Sequence, residues 1–154
     1  MPDATIAQRL VALGIVLPAA SNPAANYTNV VQAGGLLFVA GKGPSAVEGV
    51  FPRGKLGKEY TTQAGYQLAR SAGIEVLAVL QAELGSLEHI KRVVKVQGFI
   101  NAEPHFEEHH KVLNGFSDLM AEVFAERGIH ARSVMGANSL RDNLPIVVDS
   151  IFEV

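Results

Sequence analysis

Apolar residues recur along this chain with two periods, and these periods divide it into elements. Ile6, Leu10 and Leu13 fall at i, i+4 and i+7, a short amphipathic helix with Asp3 as its N-cap and Gly14 as its stop. Leu17 to Ala25 reads as loop. Two short strands follow, Tyr27–Gln32 and Leu36–Ala40, with Gly34-Gly35 between them as a hairpin turn. Gly41 to Lys58 then holds five glycines and two prolines, a long loop with room for one short strand. Such loops in compact domains usually serve function. Thr61 or Thr62 caps a helix that runs to Leu84 before Gly85, with Leu68, Ala72, Val76, Val79 and Leu80 as its stripe. Gly65 and Gly73 imply close packing against a neighbour. Ile90–Ile100 alternates, with Val94, Val96 and Ile100 on one side and Lys95 and Gln97 on the other, which predicts a strand. Pro104 opens a second long helix to Arg127, striped by Phe106, His110, Leu113, Met120 and Phe124 and ended by Gly128. Strands near Ala131–Ala137 and Pro145–Glu153 close the chain.

The order α-β-β-α-β-α-β-β predicts an α+β fold, a mixed sheet with two long helices on one face and an extra N-terminal helix. The segments LLFVA and IVVDSIF are apolar at both parities. The face away from the long helices therefore needs a cover. Other subunits are the expected cover, and the N-terminal helix is the alternative.

Composition narrows the classes. At 154 residues the chain is expected to be one domain, 1–154, large enough to fold without staples. There is no cysteine, which excludes disulfides, iron–sulfur clusters, thiolate zinc and a cysteine nucleophile. The net charge of −2 speaks against a nucleic-acid partner. No run of apolar residues is long enough for a membrane span. The N-terminus lacks a basic region, so no signal peptide is expected, and a cytoplasmic protein is. Asn26-Tyr27-Thr28 then carries no glycosylation meaning.

Gly41-Lys42-Gly43-Pro44-Ser45-Ala46 fits G-x-G-x-x-A after a strand, but Pro44, Gly49 and Pro52 deny the helix a dinucleotide site requires. Glycine there still allows a small ligand to approach the backbone. His105-Phe106-Glu107-Glu108-His109 fits H-x-x-E-H, with His110 and His130 as candidate third ligands. A polar helix start explains the same residues more simply, and no metal or cofactor is expected. His110 is a polar residue in an apolar stripe, either a satisfied core or interface histidine or a ligand contact in a cleft. Arg132 opens an apolar strand, and its planar fork suits a carboxylate. A surface ion pair is its competing role.

Ala131-Arg132-Ser133, the Leu144-Pro145 pair and Ile146-Val147-Val148-Asp149-Ser150, together with Tyr27 to Gly41 (YTNVVQAGGLLFVAG), resemble the Rid family. These are YjgF-type reactive-intermediate (enamine/imine) deaminases, older names for which include translation inhibitor and L-PSP endoribonuclease. The likeness spans Tyr27 to Val154, with residues 1–25 as a helical extension and the Gly41–Lys58 loop as an addition of a longer subgroup. It implies a chorismate-mutase-like fold and a homotrimer with clefts between subunits. In each cleft Arg132 would bind the carboxylate of a small 2-imino or 2-amino-acrylate acid. Hydrolysis of the C=N bond would give a 2-oxo acid and ammonia. Arg132, Tyr27 and Gly41 keep the family's residues. His110 stands for its helix asparagine, Ala40 for a serine, and Val147 for the glutamate that holds the water. Asp149 shares a sheet face with Val147, about 7 Å along, and is the candidate replacement. The candidate site is therefore Arg132, Asp149 and His110 as catalytic residues, with Tyr27 and Gly41 binding substrate. Two other readings follow from the same residues. One is a non-catalytic binder of small carboxylates, suggested by Val147. The other is the endoribonuclease of the older name.

Overall fold

A computed structural model describes residues 3–154. Helix α1, Ile6–Ala12, is capped by Thr5 rather than Asp3, because Thr5 and Gln8 form a reciprocal capping box. Strand β1 is Val30–Ala33 and β2 is Leu36–Lys42. They pair around Gly34-Gly35, where Gly34 has φ +59°. The first strand was expected from Tyr27. Instead Tyr27 lies in the preceding loop, and β2 runs two residues further than expected.

Helix α2, Thr62–Leu84, has the expected ends, with Thr61 accepting from the Ala64 amide and Gly85 left-handed at φ +78°. Strand β3 is Arg92–Asn101. A bulge between Val93 and Lys95 shifts its alternation, so Val93, Val96 and Ile100 are buried while Val94 turns to the other face. Helix α3 is His109–Phe124, five residues later than Pro104 predicts, and a 3-10 turn, Ala125–Gly128, replaces its expected last turn. The cause is competition for residues 102–106. Ala102 bridges to Leu56, the Glu103 amide donates to Leu56 O, and the Phe106 amide donates to Glu103 O. Those bonds hold the chain to the preceding loop and keep Phe106 out of the helix.

Strand β4 is Ala131–Ala137 and β5 is Ile146–Glu153. The sheet order is β1-β2-β5-β3-β4, antiparallel except for the parallel β3–β4 pair. The α+β layout is as expected. Leu37, Val39, Val96, Ile100, Ile146, Val148 and Phe152 face Val76, Leu80, Leu113, Phe116 and Met120 in one core. α1 packs against α3 and the 3-10 turn Leu87–His89, on the helical side. It does not cover the opposite face, where Val31, Phe38 and Met135 are 55%, 43% and 43% exposed. No helix among the described residues is long and apolar enough to cross a membrane.

Candidate functional site

The bulge in β2 organises the site. Val39 pairs with Ser150 and Lys42 with Val148, so Ala40 and Gly41 together oppose Asp149. Gly41 leaves Val147 its place, since a Cβ there would come within 2.7 Å of Val147 Cγ1 and that side chain would have to shift. Beyond the bulge the chain enters the Gly41–Lys58 loop, which contains isolated bridges, Val47 to Val50 and Leu56 to Tyr60, but no strand. This loop, the Pro18–Tyr27 loop, α2 and the β4–β5 connection enclose a cavity of about 830 Å³.

Tyr27 and Gly41 both line it. The Tyr27 hydroxyl accepts from the Ala24 amide at 3.1 Å, which fixes the ring at the mouth. The same cavity is lined by Lys42, Arg53 and Arg141 as cations and by Glu75 and Asp142 as acids. Lys42 is 6% exposed, and its Nζ donates to Asn29 Oδ1 at 2.6 Å and to Ser21 Oγ at 3.1 Å. Burial pushes its amine below the usual lysine range. Ser45 donates through Oγ to Glu75 Oε1 at 2.6 Å, whereas Glu75 Oε2 is buried without a partner.

Arg132 lies elsewhere, on the edge strand β4. Its Nη1 donates to Ser117 Oγ and its Nη2 to the His110 carbonyl, each at 3.0 Å, which turns the side chain towards α3. It lines neither this cavity nor the more open one beside Glu103 and His105. His110 does not join an apolar stripe within the chain. It is exposed in the first turn of α3 and meets Arg132 through its backbone. The inward position is taken by His109, which makes an edge-on contact with Phe106 at 5.1 Å and fills the space beside Gly136. Asp149 and Val147 both point to the face away from the helices, and burial raises the Asp149 carboxyl above its usual range. Asp149 also lies outside the cavity lining. Within one chain, then, Tyr27 and Gly41 come together, Arg132 and the His110 backbone come together, and Asp149 stands apart.

His105 and His109 do not share a helical face, because the helix begins only at His109. No group of three or more metal-ligating side chains occurs among the described residues. His105, Glu103, Glu107 and Glu108 instead line a second, more open cavity of about 670 Å³. Sequence reasoning missed Lys42 and Glu75. Lys42 reads as the variable position of a glycine motif, and strict alternation would turn it outward. Glu75 carried one signal, an acid within the largely apolar run from Ile74 to Leu80.

The five-stranded mixed sheet and its two long helices are the chorismate-mutase-like arrangement. The family model described as "YjgF/chorismate_mutase-like, putative endoribonuclease" matches residues 7–151. The chain belongs to this family. Protein TCP17 of Trypanosoma cruzi is 41% identical over 150 residues, 97% of this chain and 94% of its own length. The crystal structure of a protein described as a putative endoribonuclease from Shewanella oneidensis superposes with a TM-score of 0.94 at 32% identity, covering 98% of this chain and all of that one. Protein Atu1372 of Agrobacterium tumefaciens superposes at 0.88 with 35% identity, covering 97% and 92%. These matches include α1 and the long loop.

Proposed function

We propose that the protein is a homotrimeric deaminase that hydrolyses small 2-imino or 2-amino-acrylate acids to 2-oxo acids and ammonia. The observation that carries this reading is the cavity over Gly41, where Tyr27 and Gly41 share a wall with Lys42, Arg53 and Arg141. Such a wall suits a small carboxylate. Arg132 joins it from the β4 edge of a neighbouring copy, using the N–H groups it does not spend on Ser117 and His110. His110, exposed at the start of α3, reaches the same cleft. Water adds to the C=N carbon and passes a proton to the nitrogen, and the carbinolamine then expels ammonia as its hydroxyl becomes the oxo group. Held beside the substrate, that water loses the entropy cost of encounter. Asp149 lines no part of this cavity; its carboxyl, raised by burial on the sheet face that a neighbouring copy would cover, is the acid–base group we assign to these transfers at the seam between copies.

The test is ammonia and 2-oxo acid release from imines generated by an amino-acid oxidase. Arg132→Ala is expected to lower kcat/KM by about 10- to 100-fold, the worth of one charge-assisted contact. Wild-type rates equal to buffer overturn the enzyme reading. A fully active Arg132→Ala protein overturns the anchor. One observation favours a second reading, a carboxylate binder without turnover: Val147, packed against Gly41, offers no acceptor for a water. That reading predicts calorimetric binding of 2-oxo acids with no ammonia released. The ribonuclease reading gains nothing from a chain of net charge −2.

A further inference from the structure

The hydrolysis proposed above gives Lys42 no chemical step, yet the fold takes trouble to place it. Alternation from Leu37 and Val39 would send residue 41 towards the helices and residue 42 to the open face. The bulge at Ala40–Gly41 reverses this, so Lys42 points towards α2. Bulges beside sites commonly re-aim a side chain in this way. The two acceptors at its Nζ, Asn29 Oδ1 and Ser21 Oγ, are both neutral. Glu75 acts on Lys42 through space but forms no ion pair with it, and Arg141 acts in the opposite sense. Arg53, Asp142 and Tyr27 are the other titratable groups lining the cavity. A buried ammonium normally has a carboxylate against it. Lys42 has two acceptors that hold an amine's N–H groups just as well. An amine that donates two N–H bonds keeps its lone pair for a carbon electrophile.

We propose that Lys42 is a nucleophilic amine that captures the carbonyl carbon of a 2-oxo acid in this cavity as a Schiff base. Arg53 and Arg141 hold the carboxylate of the same molecule. The Nζ lone pair attacks the carbonyl carbon, and the carbonyl oxygen takes up a proton to give a carbinolamine. The nitrogen then loses a proton and the hydroxyl gains one. Water leaves, and the C=N bond remains. Glu75 ferries these protons, with Oε1 pinned by Ser45 and Oε2 unpartnered. Capture requires neither Arg132 nor a second copy, so it is independent of the hydrolysis.

Wild-type protein is incubated at neutral pH with pyruvate and cyanoborohydride, digested, and mapped by mass spectrometry. The expected result is a reduced pyruvate adduct on Lys42, formed faster than on exposed Lys58 or Lys91, because Arg53 and Arg141 line the same cavity and hold the carboxylate beside it. Lys42→Arg abolishes that adduct and Arg141→Gln slows it. If Lys42→Arg fails to fold, the wild-type map decides alone. Labelling that spares Lys42, or falls equally on the surface lysines, overturns the proposal. Labelled Lys42 without ammonia release leaves capture standing and removes the deaminase. Ammonia release without the adduct does the reverse.

Discussion

Ser117 joins Arg132 on β4 to His130 just before it, and the geometry fixes the tautomer of His130. His130 Nδ1 lies 2.6 Å from the Gly128 carbonyl, which only accepts, so Nδ1 carries the proton. Nε2 is then an acceptor for the Ser117 hydroxyl at 2.9 Å, and the Ser117 oxygen accepts from Arg132. A second proton on His130 would face Ser117 with a donor and set a positive charge near Arg132. Burial lowers the His130 pKa most, the Gly128 carbonyl opposes this, and Arg132 adds to the lowering. The folded state therefore binds fewer protons than the unfolded state below the ordinary histidine value of about 6.5. The resulting stability is full above that pH and is lost as pH falls. Urea midpoints are expected to drop between pH 7.5 and 5.5, with a shallower drop in His130→Gln. His109, also lowered by burial, keeps some slope in the variant. An identical slope in both proteins would show that His130 is not the titrating group. Arg132 was legible in the sequence because a guanidinium in an apolar strand is anomalous. Ser117 and His130 were not, because their meeting depends on how α3 lies over β4.

Helix α2 crosses α3 so closely that one glycine decides the contact. A Cβ on Gly115 would fall 1.9 Å from the Tyr66 carbonyl oxygen, a backbone atom that cannot step aside. At Gly73 it would meet side chains alone, the end of Leu119 at 2.7 Å and Phe116 and Met120 at 3.4 and 3.5 Å. Gly115→Ala is therefore expected to cost about 3 kcal/mol and Gly73→Ala clearly less, read as denaturation midpoints. Equal losses would mean the helices separate freely. Gly73 announced this packing in the sequence, since glycine inside a helix costs propensity without a return elsewhere. The ends of α2 were equally readable from Thr61 and Gly85, because caps are local chemistry. The start of α3 was not. Pro104 is a good first helical residue, but Leu56, nearly fifty positions earlier, claims the backbone at 102 and 103. The two bulges escaped for a related reason. An extra residue in a ladder is specified by the partner strand, so Val94 and Lys42 could be assigned to a face only once β5 was in place.

Across the whole molecule, the helices and the sheet form two layers, and the sheet has a second apolar side. Val31 and Phe38 on the β1–β2 hairpin, Val147 and Ile151 on β5, Phe99 on β3 and Met135 on β4 share that side. Among them stands Asp149, an acid that burial already disfavours in its charged form. Since α1 packs with α3, nothing in the described chain covers this face. Apolar surface of this extent rarely stays in water, and copies of the same sheet are the cover we propose. Placing a charge at the centre of the patch is the direct test. Phe38→Glu leaves the helical core untouched, so the circular dichroism spectrum is expected to match wild type. By light scattering the mass is expected to fall from three chains to one. In the proposed trimer the same variant should lose the proposed deaminase activity, because it would remove Arg132 of the neighbouring copy from the cavity over Gly41. It should keep Lys42 labelling, because Lys42 and the side chains proposed to act with it all belong to a single chain. A wild-type protein that scatters as one chain would leave Arg132 and the cavity without a way to meet, and the residues lining the cavity would then have to bind and react alone.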